Sequence, residues 1–391
     1  MSSADSSPMR GERLRQLLTA DGTALVEAYR SLELTPHTGW LAEVLADRRD
    51  PTMSELARLS VHTEIPLAVL VGATDPRANL GVALRSGLVE SDVDERADLR
   101  RAQHLLEHLR LLTSWYGAEA ADRSARAELA RRACNHTPYA PEAARRTAQN
   151  LRSILGIADD APIGDLTEIV ESIGVPVVVL PLPPNVHGMT VHDECGDDWR
   201  SVVFVSSHDP WTRQRYTLAH ELAHVLFRDR RTFIIERGDE IDESDVQEWR
   251  AECFAGRFLA PEAAVRNWWN AARQDVEERD ALARFMLHFG LSRLAAVRTL
   301  RGSFPNRDFT HLTRDPRRVA DLMELAGLGE QWRAAGADES EPAASPWLLS
   351  MSLDAYRDRL VSAEVVADVL GDPDVTAVER DLVEQGWAPP A

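Results

Sequence analysis

The sequence predicts an α+β fold, mostly helical, with one small β-sheet set between helical regions. Three observations predict it. Long stretches before about residue 135 and after about residue 269 carry apolar residues at helical spacing. Between them, "VPVVVLPL", "HGMTV" and "SVVFVS" are β-rich runs separated by Pro, Asn and Gly-Asp turns. A further helix, "RYTLAHELAHVLF" at 215–227, follows directly on the last of these runs.

In chain order, residues 1–80 read as short helices with tight turns. Residues 81–135 read as a charged helical connector, with "RADLRRAQHLLEHLRLLTSWYG" at helical spacing. Residues 136–268 alternate helix and strand. There "PEAARRTAQNLRSILGI" and "IGDLTEIVESIG" are helical, and the second ends on Gly174, a C-cap signal. "HGMTV" is expected at a sheet edge, and "DECGDD" as a loop. Residues 269–391 are helical again, with the acidic break "AAGADESEPAASP" at 334–346 expected as a linker or exposed loop.

The chain has 391 residues, enough for two or three domains with their own cores. Its formal charge is −19, so no global basic field draws nucleic acid or anionic lipid, and any DNA contact needs a local patch. All 44 basic side chains are arginine, which with the Ala- and Leu-rich text points to a GC-rich bacterial genome. The opening "MSSADSSPMRGER" has no apolar run of a signal peptide, and no stretch approaches the ~18 apolar residues of a membrane helix. Cys134, Cys195 and Cys253 are odd in number and far apart, which does not suggest a disulfide framework. These readings predict a cytoplasmic protein with no membrane partner.

The 215–227 helix carries H-E-x-x-H. Asp209 suits its N-cap and Pro210 its first position. Residues four apart share a helical face, so His220 and His224 can hold one metal ion. Glu221 lies about 100° further round, where a general base can take a proton from water held by zinc. Zinc lowers the pKa of such water towards ~7. A catalytic zinc needs a third protein ligand, and "VQEWRAECFAGRFLAP" at 246–261 offers Glu248 and Glu252 one turn apart, with Ala251 and Ala255 keeping that face small. Glu248 is the expected ligand. Glu252 is then the carboxylate that accepts the free imidazole N–H of a ligand histidine. The reverse assignment stays open. The motif alone arises by composition in roughly a few per cent of chains this long, so the apolar continuation "VLF", the β-rich run upstream and the downstream glutamate helix carry the assignment. For the oxyanion, Tyr216 and Arg215 are candidates that can equally pack or cap. His187 either lines the cleft or is a surface histidine. Cys253 is expected in the core.

"RYTLAHELAHVLF", followed by "EWRAECFAGRFLAP", resembles the ImmA/IrrE metallopeptidases, whose pattern is R-F-T-L-A-H-E-L-G-H, then E-x-x-A-N-x-F-A and an L-x-P ending. The resemblance extends upstream through "IGDLTEIVESIGVPVVVLPL", "VHGMTV" and "RSVVFVS" and covers roughly 136–300. It implies a zincin-like core holding one Zn2+ per chain, with His220, His224 and Glu248 as ligands and Glu221 as catalytic base. Glu252 stands where the family usually has Asn, and Ala223 where Gly is common. By the same resemblance the expected substrate is a helix-turn-helix repressor, cut to induce a stress or mobile-element response. The alternatives are a transcriptional regulator whose zinc domain senses rather than cleaves, or a toxin–antitoxin or phage-defence component.

Residues 33–72, "ELTPHTGWLAEVLADRRDPTMSELARLSVHTEIPLAVLVG", resemble the later part of a Xre/Cro-type helix-turn-helix. The resemblance implies a recognition helix from Pro36 to Ala46 presenting His37, Thr38 and Trp40 to operator DNA, with Arg48 and Arg49 near phosphates. Residues 1–80 nonetheless hold 8 arginines against 11 acidic residues, 8 − 11 = −3, which favours protein contacts or regulation over DNA. A homodimer through 81–135 would double any contacts. "ALARFMLHFGLSRLAAVRTLRG" at 281–302 also looks helix-turn-helix-like, with packing or substrate recognition as its expected role.

Overall fold

The computed structural model describes residues 115–182, 186–195, 198–229, 233–237, 246–337, 343–372 and 374–387, with scattered positions in 14–59 and 105–113. The chain divides into two compact units, Met1–Gln103 and His104–Ala391.

In the first unit, helix α1 (Trp40–Leu45) buries Leu41, Val44 and Leu45. Its N-cap Gly39 is extended, with φ −96° and ψ 159°, so the helix starts at Trp40 and not at Pro36. His37 and Thr38 lie outside the described residues.

The second unit opens with α2 (Gly117–Arg131), α3 (Ala140–Ile154) and α4 (Leu166–Ser172). The sheet follows: β1 (Val177–Leu180), β2 (Val186–Cys195), β3 (Asp198–Ser206) and, beyond the long helix α5 (Trp211–Phe227), β4 (Phe233–Arg237). The order is β1-β3-β2-β4. β1 lies parallel to β3, with Val177 opposite Val203, and β2 is antiparallel to both β3 and β4.

Three expectations about this sheet change. "HGMTV" is interior, because "FIIER" at 233–237 pairs along its far side as β4. The charged neighbours of "FIIER" hide its strand character. The β2–β3 hairpin runs on to Cys195 and Asp198, so Cys195 ends a strand. Its acidic text reads as loop because the register, not apolar alternation, holds this end together. Lastly, of the 334–346 break, 334–337 are helical, 338–342 lie outside the described residues, and the last residues are anchored. Ala343 exchanges two 2.9 Å backbone hydrogen bonds with Val179, which covers part of the β1 edge, and Ser345 caps the helix that follows.

α5 lies on β2 and β3, and α6 (Val246–Leu259) packs between α3 and α5. The α3 face is small: Ala140, Ala143, Ala144, Thr147, Ala148 and Leu151 are buried at helical spacing. Ala251 and Ala255 of α6 are fully buried in the same core, where small side chains let helices approach closely. That core continues through α7 (Glu262–Ala272), α8 (Glu278–Phe289), α9 (Arg293–Ser303), α10 (Thr310–Thr313) and α11 (Val319–Leu325). Gly290 makes the tight turn between α8 and α9 at φ 64°. A Cβ there would also meet Arg215 Nε at 2.5 Å, so turn and close approach both require glycine. Helices α12 (Gly329–Ala337), α13 (Pro346–Arg357), α14 (Ala363–Leu370) and α15 (Val375–Glu384) complete the unit. No helix of the described residues is long and apolar enough to cross a membrane.

Candidate metal centre

α5 starts one residue later than expected. Pro210 is the N-cap, with an extended ψ of 147°, and Trp211 is the first helical residue. Asp209 is not the N-cap, and its carboxylate lies 2.8 Å from His187 Nδ1. Every α5 side chain from Thr217 to Phe227 is buried, including His220, Glu221 and His224. β2 makes room for them. A Cβ on Gly188 would lie 2.3 Å from Thr217 Cγ2 and 3.1 Å from Glu221 Oε1. Two residues along β2, the Thr190 hydroxyl donates to Glu221 Oε2.

His220 Nε2 and His224 Nε2 are 3.1 Å apart. Glu248 Oε2 of α6 lies 3.2 Å from the first and 3.6 Å from the second. Tetrahedral zinc with bonds near 2.0–2.1 Å separates its ligand atoms by about 3.3 Å, so these spacings fit. The remaining nitrogens explain the direction of the rings. His224 Nδ1 meets Asp229 Oδ2 at 2.7 Å, and His220 Nδ1 lies 3.5 Å from Glu252 Oε2. With the ring protons turned to these carboxylates, both Nε2 lone pairs and a carboxylate oxygen converge on one point. Three electron-rich atoms at such a point need a cation, either protons or a metal ion. His220, His224 and Glu248 are the group of the described residues whose donor atoms suit a metal.

The electrostatics agree. Burial works against charging His224, but hydrogen bonds to Asp229 and Glu248 outweigh it and raise its pKa. Burial likewise favours the neutral acid at Glu248, yet the two histidines hold its carboxyl well below the usual range. The site is therefore built around an ionised Glu248 facing positive charge.

Asp229 was not anticipated. It stands just past the helix, where Arg228 adopts the left-handed conformation at φ 50°. That turn folds the chain back, Asp229 N donates to His224 O, and the side chain reaches His224 Nδ1. Arg250 of α6 donates to the other carboxylate oxygen. Burial opposes ionisation of Asp229, and His224 and Arg250 overcome it, keeping its pKa low. The sequence signal is slight, an Asp five residues after His224, because a non-glycine left-handed turn has no pattern to announce it.

The other candidates separate. Glu252 stands beside His220 and also meets Arg298 Nη1 at 3.2 Å. Tyr216 donates its hydroxyl to Glu252 O at 3.1 Å. The Arg215 guanidinium donates to Ile163 O and Gly164 O, which ties α5 to the segment before α4 and takes Arg215 away from any oxyanion. Cys253 is half-buried against the core. In the first unit, Arg49 is held by Glu55 at 2.6 Å and Glu43 at 3.6 Å, with its guanidinium 5.9 Å from the Trp40 ring. Arg48 donates its backbone N–H to Glu43 O.

No curated protein matches the chain. Residues 170–301, from α4 through most of α9 and including every residue of the converging cluster, match the model of the Peptidase_M78 family, described as an IrrE N-terminal-like domain, and in this stretch the chain is similar to metallopeptidases.

Proposed function

We propose that this chain is a zinc-dependent regulatory endopeptidase that cleaves a helix-turn-helix transcriptional repressor and so induces a stress or mobile-element response. The observation that carries the reading is the meeting of His220 Nε2, His224 Nε2 and Glu248 Oε2 at tetrahedral spacing beside the buried carboxylate of Glu221. Three protein ligands are the number that catalytic zinc sites use, with a fourth position left for the reaction. A zinc ion held there supplies Lewis acidity to a peptide carbonyl and to water.

The chain's own residues then divide the work. Glu221 accepts the proton of the attacking water on its carboxylate and returns it to the leaving amine nitrogen. Thr190 fixes the carboxylate through Oε2. Asp229 and Glu252 hold the two imidazoles with Nδ1 protonated and Nε2 turned inwards. The first unit serves as a module for docking the substrate or restraining the peptidase, consistent with the internal pairing of Arg49.

The test is cleavage by the purified, zinc-loaded chain of a repressor encoded beside its gene. The expected outcome is one or two cuts, lost in Glu221→Gln while zinc is retained. Broad digestion of casein-like unfolded protein would contradict a regulatory role.

A further inference from the structure

A cavity of about 360 Å³ is lined in part by His187, Arg213, Tyr216 and Arg298, and Arg298 links it to the converging cluster through Glu252, which lies 3.5 Å from His220 Nδ1. Its place follows from helix geometry. Arg213, Tyr216 and His220 are spaced i, i+3 and i+7 along one face of α5. His187 precedes Gly188, whose position against Glu221 is described above. The opposite wall is the opening turn of α9, with Arg293 and Leu294.

The lining is basic in an acidic protein. Arg213, Arg293 and Arg298 against Asp209 give 3 − 1 = +2, where the whole chain carries −19. The Asp209 charge is engaged by His187 at 2.8 Å. Arg298, although it meets Glu252, is 35% exposed, so its guanidinium borders the opening. The first turn of α9 adds the positive end of a helix to the same wall.

We propose that this cavity is a substrate subsite for a carboxylate, namely an Asp or Glu side chain of the protein that is cut, held by Arg213 and Arg298; the proposal rests on the metallopeptidase reading above. Four helical residues from Tyr216 to His220 rise about 6 Å. An extended peptide advances about 3.3 Å per residue. The acidic residue therefore lies one or two positions from the scissile bond. Elsewhere the protein's net negative charge disfavours acidic peptides, so the pocket makes an acidic residue near the cut a condition of recognition.

The experiment uses the zinc-loaded full chain and two pairs of amide-capped peptide hydroxamates, one pair extending to each side of the zinc-binding group. Within a pair the peptides differ only by Glu or Gln one or two residues away. A fifth peptide carries Gln and a free terminal carboxylate. Binding is read by calorimetry and zinc by elemental analysis. In one pair the Glu peptide should bind about tenfold more tightly. That difference should vanish in Arg213→Gln and in Leu294→Glu, which places a negative charge at a half-exposed position on the rim, with zinc content unchanged in both. Equal binding within both pairs would overturn the subsite and leave the metal centre standing. A gain confined to the free terminal carboxylate would overturn the side-chain assignment in favour of chain-end recognition. A chain that takes up no zinc and binds none of the five peptides would overturn the metallopeptidase reading itself.

Discussion

Two groups of charged side chains, one in each unit, show opposite ways of settling charge. In the first unit Arg49 is answered within its own neighbourhood by Glu55 and Glu43. In the second, each of the two imidazoles has one nitrogen answered by a carboxylate. The other two nitrogens are aimed, with Glu248, at a common point. The difference teaches how to tell a structural charge cluster from a binding one. Folding alone settles a charge with its own partner, whereas a site built for a cation gathers several lone pairs, here two imidazole nitrogens and a carboxylate oxygen, around one point.

The strongest way to break the contrast is to remove the convergence. His220→Ala, His224→Ala and Glu248→Ala should each lose most of the bound zinc, measured by elemental analysis after dialysis. Glu221→Gln should keep it and lose roughly 10²–10⁴-fold in cleavage rate, since it removes a base and not a donor. Full zinc retention in Glu248→Ala would transfer the ligand role to Glu252 or another group.

A smaller effect sharpens the same point one layer out. Asp229→Asn keeps the shape but weakens the partner of His224 Nδ1. Zinc affinity should fall about 10–100-fold, read by competition with a chromogenic chelator, with the fold intact by circular dichroism. Unchanged affinity would make Asp229 a cap for the end of α5 and nothing more.

These two predictions also divide what could be read from the sequence from what could not. The convergence of His220 and His224 was legible because helical spacing puts them on one face of α5, whereas Glu248 and Glu252 share a face of α6 and only the family resemblance chose between them. Asp229 was not, because its place depends on the left-handed turn at Arg228. β4 was not, because "FIIER" acquires strand identity from pairing with β2 and not from its own alternation. The helical start at Trp40 was hidden for a related reason: Pro36 is a good helix opener, and the extended Gly39 that sets the boundary leaves no mark in the pattern.

Proton linkage separates the two regions more finely. In the metal-free chain His224 has a raised pKa, with burial outweighed by Asp229 and Glu248. The stability this gives is fully present below the unfolded imidazole value near 6.5 and is lost as pH rises through the raised folded value. Zinc must displace that proton. Zinc binding just above pH 6.5 should therefore release protons, seen as a binding enthalpy that varies with the ionisation enthalpy of the buffer. No proton release would contradict the coupling between His224 and its carboxylates.

The smallest effect belongs to the first unit. Hydrogen bonds from Arg49, set against partial burial, lower the Glu55 pKa from 4.5 to about 2. A depressed carboxylate contributes stability above its unfolded value that is lost as pH falls through the folded one. Glu55→Gln should therefore flatten the acid side of the stability curve between pH 4.5 and about 2, by little, because the pair is partly exposed. The same pairing bears on DNA. Each phosphate contact contributes about −0.9 to the slope of log K against log salt on duplex DNA. An arginine already held by two carboxylates adds no such contact, so Arg49→Gln should leave the slope for any duplex unchanged. Arg48, whose backbone N–H donates to Glu43 O, makes the internal control. A slope reduced by nearly one unit in Arg49→Gln would mean that Glu55 and Glu43 release the guanidinium on binding. The first unit would then be an operator reader, and its charges, like those of the metal centre, would be kept for a partner.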